Sequence, residues 1–175
     1  MATPLQYSRQ LLHELRGYLA GFAVLALVGA LALPLITGYS KRQDWGLEAV
    51  HLLELIFNFD GLYPVPGSDP DTNIAIRVAA ALALLIPLAL LLTPQYVSHP
   101  TDRAASATSI TVGLFLQFVC LSLCWLYTWH LTWNESGHLS IVSWGPGMFC
   151  LTAAHLLVAL RINLLGRLLR WMSHP

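Results

Sequence analysis

Four apolar stretches, each about 19–24 residues long, dominate this chain of 175 residues: 17–36, 74–92, 110–133 and 139–162. A helix rises about 1.5 Å per residue, so each stretch is long enough to cross a hydrocarbon core of about 30 Å. In lipid, peptide groups are satisfied only inside helices or closed barrels. These stretches do not alternate with the period of two that a barrel needs. The sequence therefore predicts an all-α integral membrane protein, a single membrane domain with four transmembrane helices. The first stretch exceeds the apolar core of a secretory signal, about 7–15 residues, and lacks a small-residue cleavage site, so it reads as an uncleaved anchor.

Charge supports lipid rather than water as the surroundings. Only 10% of residues are charged, against about 25% in a soluble domain. Net charge is zero and Lys41 is the one lysine, which excludes the basic face that nucleic-acid binding requires. The charges are also unevenly placed. With four spans and both termini inside, six of nine basic residues fall inside: Arg9, Arg16, Arg103, Arg161, Arg167 and Arg170. Seven of nine acids then fall outside. The positive-inside rule favours this orientation. The leucine- and alanine-rich composition, with arginine over lysine, suggests a GC-rich bacterial genome and hence the inner membrane.

The segments between spans differ in kind. The longest, 37–73, is the expected extracytoplasmic piece. The run Trp45 to Phe57 reads as an interfacial helix lying on the outer surface, with Asp44 as its N-cap. Pro64, Pro66 and Pro70 then break regular structure in an acidic loop. Its carboxylates Asp60, Asp69 and Asp71 are candidate partner-docking residues. Both termini are amphipathic and read as helices on the inner leaflet. Along the first span, Gly17 and Gly21, and Ala26 and Ala30, are small residues four apart that permit close helix approach. Pro87 is placed to kink the second span. The run Trp144-Gly145-Pro146-Gly147 is expected to loosen the outer end of the fourth.

Polar groups deep in a membrane are costly, so they come first as candidate sites. The third and fourth stretches carry Gln117, Cys120, Ser122, Cys124, Thr128, Ser143, Cys150, Thr152 and His155. Gln117 and His155 come out level, each about 9–11 Å from the inner end of its helix. One reading is an interhelical hydrogen bond between them, worth about 0.6–2 kcal/mol. The sharper reading makes His155 a proton relay or a ligand of haem b. A haem would draw its other axial ligand from a partner chain, because His130 lies about 20 Å away in depth. The three cysteines have no metal or disulfide spacing and read as small apolar filler.

A second constellation falls outside. Glu48, His51 and Glu54 could meet His130, Glu135 and His138, and imidazole with carboxylate suits a transition metal. The same spacing also describes a solvated polar stripe, and no metal site is assigned. The chain contains no HExxH, no GxSxG and no phosphate-binding glycine loop.

Three function classes follow. The first is a non-catalytic subunit or accessory protein of a larger inner-membrane complex, with other membrane subunits and the lipid bilayer as its partners. The second is a redox or proton-conducting subunit centred on His155. The third is a membrane immunity or binding protein acting through the acidic loop.

Overall fold

A computed structural model describes residues 4–40, 46–57, 70–92, 100–133 and 139–164. They form α1 (Pro4–Ala32), β1 (Ile36–Ser40), β2 (Gly46–Val50), α2 (Leu52–Phe57), α3 (Pro70–Leu92), α4 (Pro100–Trp133), β3 (Leu139–Trp144) and α5 (Pro146–Ala159), which runs on into a π-turn (Leu160–Leu164). The chain is mostly helical. Three helices are long and apolar enough to cross a membrane, over Glu14–Ala32, Ile74–Leu92 and Thr108–Trp129. The fourth apolar helix is shorter, Pro146–Ile162.

The second and third expected stretches, 74–92 and 110–133, lie within α3 and α4, which begin four and ten residues earlier. The other two are shortened by a sheet that a purely helical fold does not contain. β1 pairs antiparallel with both β2 and β3, in the order β2-β1-β3. Pro34 supplies no N–H and restricts the residue before it, so α1 stops at Ala32. Ile36, expected inside the first span, opens β1. Likewise 139–144, expected as the start of the fourth span, is β3. Its Ser143 hydroxyl lies 2.9 Å from that of Thr37, directly opposite in the register. Gly145 then takes the N-cap position and Pro146 the first turn, where its missing N–H costs nothing.

The expected interfacial helix is corrected in the same way. Residues 46–50 are β2, and only Leu52–Phe57 is helical. Hairpin pairing with β1, from Ile36 opposite Val50 to Ser40 opposite Gly46, outweighs the weak helical preference of a short segment. Trp45 and Asp44 lie outside the described residues. The N-terminal segment is not a separate helix, because Pro4–Ala32 is one continuous element. The expected C-terminal helix, beyond Leu164, falls outside the described residues.

Helices α1 and α5 pack antiparallel as one pair, α3 and α4 as the other. Small residues set the α1–α5 contact. Ala23, Ala30 and Ala154 are fully buried, and a Cβ built on Gly29 would sit 3.1 Å from the Cys150 sulfur. Gly17 and Gly21, by contrast, face open space, so their spacing serves no contact within the described chain. The core runs from Leu35, Ile36, Val50 and Leu52 beside the sheet, through Leu121, Met148 and Leu151, to a second cluster of Ala23, Leu90, Leu114, Val158 and Ile162. Pro87 lies in this interior within α3.

The run 144–147 does the reverse of loosening. Gly145 donates its N–H to the Leu35 carbonyl at 2.8 Å and Gly147 donates to the Pro34 carbonyl at 2.9 Å. The Leu35 N–H in turn donates to the Val50 carbonyl at 2.8 Å. A Cβ on Gly145 or Gly147 would overlap the carbonyl oxygens of Pro34 and Leu33 respectively. Gly145→Ala and Gly147→Ala should each therefore destabilise the fold by about 1–3 kcal/mol or more. Gly21→Ala, facing open space, should be neutral or stabilise by up to about 1 kcal/mol. Thermal unfolding of the three variants in one detergent checks the contrast, and equal midpoints would refute it.

Candidate functional site

The interior polar residues gather where α4 faces α5. The buried positions of α5 are Gly147, Met148, Leu151, Ala154, His155 and Val158, one stripe at helical spacing. Facing them on α4 are Gln117, Cys120, Leu121, Cys124, Tyr127 and Thr128, all buried. Gln117 and His155, expected at the same depth, do meet, and both are fully buried.

Their contact is not the side-chain pair that the sequence suggests. Gln117 donates from Nε2 to the main-chain carbonyl of His155, at a long 3.4 Å. The His155 ring turns back along its own helix, with Nδ1 2.8 Å from the Leu151 carbonyl. A carbonyl only accepts, so Nδ1 carries the proton and Nε2 presents a lone pair. Neither His155 Nε2 nor Gln117 Oε1 has a hydrogen-bond partner among the described residues. A buried acceptor in that state costs about 1–3 kcal/mol. The lone pair on Nε2 suits a metal or a proton donor, and it is the most chemically capable atom in this interior.

Nearer the sheet, the polar groups are used in packing. Trp125 donates from Nε1 to Thr152 Oγ1 at 3.0 Å, and Thr152 donates onward to the Met148 carbonyl at 2.9 Å. Thr128 returns its hydroxyl to the Trp125 carbonyl at 2.9 Å. Trp125 also meets Trp144 edge to face, with ring centroids 4.9 Å apart, and Phe149 at 6.1 Å. Trp129 stacks obliquely on Trp144 at 6.0 Å. Sequence reasoning placed Thr152 on the right helix but missed this aromatic cluster. Trp125 and Trp129, four apart on α4, and Trp144 and Phe149, on either side of the strand–helix junction, were the available signal. Cys120 and Cys124 are buried in the core, and Cys150 faces α1 rather than joining them.

Of the outer constellation, the side chains of His51 and Glu54 alone are among those described. Glu54 accepts the His51 main-chain N–H at 2.8 Å, the return half of a capping box at the start of α2. Its carboxylate is thus engaged in holding a helix end. Glu48 lies on β2 opposite Gly38. His130 lies on α4, while Glu135 and His138 fall outside the described residues. No three His, Cys, Asp or Glu converge as metal ligands among the described residues. Asp60 and Asp69 also lie outside them, and Asp71 sits in the first turn of α3.

The class this fold defines is that of a helical protein with three helices fit to cross a membrane and a small sheet capping one end of the bundle. No protein-family model, curated protein or solved structure matches the chain.

The Trp125–Thr152 bond ties α4 to α5 through a neutral pair, typically worth about 0.6–1.7 kcal/mol in a membrane interior. Thr152→Val should cost that amount. In a double-mutant cycle with Trp125→Phe the two losses should be less than additive. Thermal unfolding of the four proteins reads this directly, and strict additivity would show that the bond contributes nothing.

Proposed function

We propose that the protein is a non-catalytic subunit of a larger bacterial inner-membrane assembly, held in the bilayer by its apolar helices and joined to other subunits at the sheet end. The observation that carries this reading is the open sheet. Among the described residues β2 and β3 each pair with β1 alone, so both outer edges carry main-chain groups able to continue a ladder. Edges of this kind are natural sites for strand addition from a partner chain. The neighbouring apolar surface suits contact with lipid and with other helices: Phe22 on α1 is 58% exposed and Phe115 on α4 is 71% exposed.

A second reading is favoured by one atom. Nε2 of His155 is a buried lone pair without a partner among the described residues, the arrangement expected of a proton-relaying group or a haem ligand. This reading predicts a haem absorption band, or a proton-coupled activity lost in His155→Gln. The first reading predicts neither.

The test is purification of the tagged protein from its own membrane in mild detergent, with a photo-crosslinking residue in place of Ala49 on β2. The expected outcome is a stoichiometric partner covalently joined at that strand. A protein that runs alone at its monomer mass and crosslinks only to lipid would overturn the subunit reading.

A further inference from the structure

Exposed aromatic rings form a ledge at the corner where α4, β3 and α5 meet. Trp129, near the end of α4, stacks at 6.0 Å on Trp144, the last residue of β3. Trp125 backs them from within, with its ring centroid 4.9 Å from that of Trp144 and 6.1 Å from that of Phe149. Trp129, Trp144 and Phe149 are 48%, 37% and 55% exposed, whereas Trp125 is half-buried and pinned to Thr152. A joined apolar surface of this kind marks contact with something other than water.

Two separate features put the ledge at one level of the bilayer. One is where the apolar helices stop. The window of α4 ends at Trp129, that of α1 ends at Ala32, and the apolar helix α5 begins at Pro146, two residues after Trp144. From Thr108, where the α4 window begins, to Trp129 is about 32 Å of helix. That is close to the thickness of the hydrocarbon core, about 30 Å. The other feature is the sheet. Among the described residues β2 and β3 each pair with β1 alone, and an open sheet edge does not occur in hydrocarbon. The sheet therefore stands outside the apolar layer, and Trp144, where β3 ends, stands on its border. The depth of the indoles agrees. Trp125 lies one turn deeper than Trp129 along α4, about 6 Å, and gives its N–H to a protein oxygen, as a buried donor must. Trp129 and Trp144 reach the level where ester carbonyls and head groups supply acceptors, the level that tryptophan favours in membranes.

The geometry points to a lipid contact at this corner: Trp129, Trp144 and Phe149 seat in the border between acyl chains and head groups of the sheet-side leaflet. Phe149 lies against the chains and the two indoles lie at the carbonyls. The contact fixes how deep the bundle sits and holds the sheet in the head-group layer. It turns the β3 side of the sheet towards lipid and leaves the β2 edge, across β1, for a protein partner. The assignment does not rest on the subunit reading and holds equally for a chain that lives alone.

The experiment encodes fluorotryptophan in place of Trp125, Trp129 or Trp144, one at a time, in the full chain. A fluorine in place of one hydrogen leaves the ring and its packing intact. The protein is carried from its own membrane into lipid nanodiscs, and each fluorine signal is recorded with three paramagnetic probes. These are a nitroxide lipid labelled beside the ester carbonyls, one labelled at the chain end, and a water-soluble gadolinium chelate. The signals at Trp129 and Trp144 should be lost with the carbonyl label and largely kept with the other two, while the signal at Trp125 should outlast both. Loss to the chain-end label instead would overturn the assigned depth. Loss to the chelate alone would place the ledge in water and overturn the lipid contact. Signals that survive all three probes would show the corner covered by protein, which overturns it as well.

Discussion

Two main-chain hydrogen bonds clasp the end of helix α1 to the start of α5, and a third ties the same segment to β2. They run from Gly145 to Leu35, from Gly147 to Pro34 and from Leu35 to Val50, each between 2.8 and 2.9 Å. They are needed because helix α1 ends at a proline. Beyond Ala32 the peptide groups leave helical geometry beside an apolar bundle, where each unsatisfied group costs several kcal/mol. The chain satisfies them by laying one backbone directly on another. Only residues without a Cβ allow that approach, which is why glycines flank Pro146. With this clasp closed, β1 has a strand on each side and α5 starts against the end of α1. The small residues Ala23, Gly29 and Ala30 then face α5 along its length.

The same requirement explains which parts of the fold were legible in the sequence. Stretches 74–92 and 110–133 were read correctly, since an uninterrupted apolar run of that length has one solution in lipid. The strands were not. Leu139–Trp144 is apolar and adjoins an apolar helix, so its composition merges with the span that follows. Its partner Ile36–Ser40 lies about a hundred residues earlier, and pairing at such a separation leaves no local trace. Gly-Pro-Gly carried the right information in the wrong sense. Glycine there signals close approach as readily as looseness, and the difference lies in what stands opposite, Pro34 and Leu35. In the stretch 45–57, local composition favoured a helix, but β1 offered a ladder to its first half.

For the interior site, depth was legible and bonding was not. Counting residues from the helix ends brought Gln117 and His155 to one level, and they do touch. A helix, however, offers every histidine a nearby acceptor, the carbonyl four residues back. Leu151 takes the His155 proton and turns Nε2 away from the amide. Glu54 shows the same local preference, its carboxylate oxygen accepting the His51 N–H three residues back and closing a helix end. In both places the nearest main-chain partner wins, because a local bond costs little ordering entropy and a converging cluster costs much.

Polarity is graded along the bundle in a way that follows from desolvation. Close to the sheet, neutral hydroxyl and indole groups satisfy one another between Trp125 and Thr152. Midway, a neutral amide and a neutral imidazole lean on main-chain carbonyls, and each leaves one acceptor open. Full charges are engaged towards the two ends, Arg161 donating to the Leu91 carbonyl of α3 at one and the Glu54 carboxylate accepting the His51 N–H at the other. Removing a guanidinium from water costs several kcal/mol, far more than an unpaired amide oxygen. These charged groups thus stand near the ends of the bundle, where water and lipid head groups share that cost. The interior between them, holding neutral groups, can respond only to a proton or to a ligand that enters the apolar core.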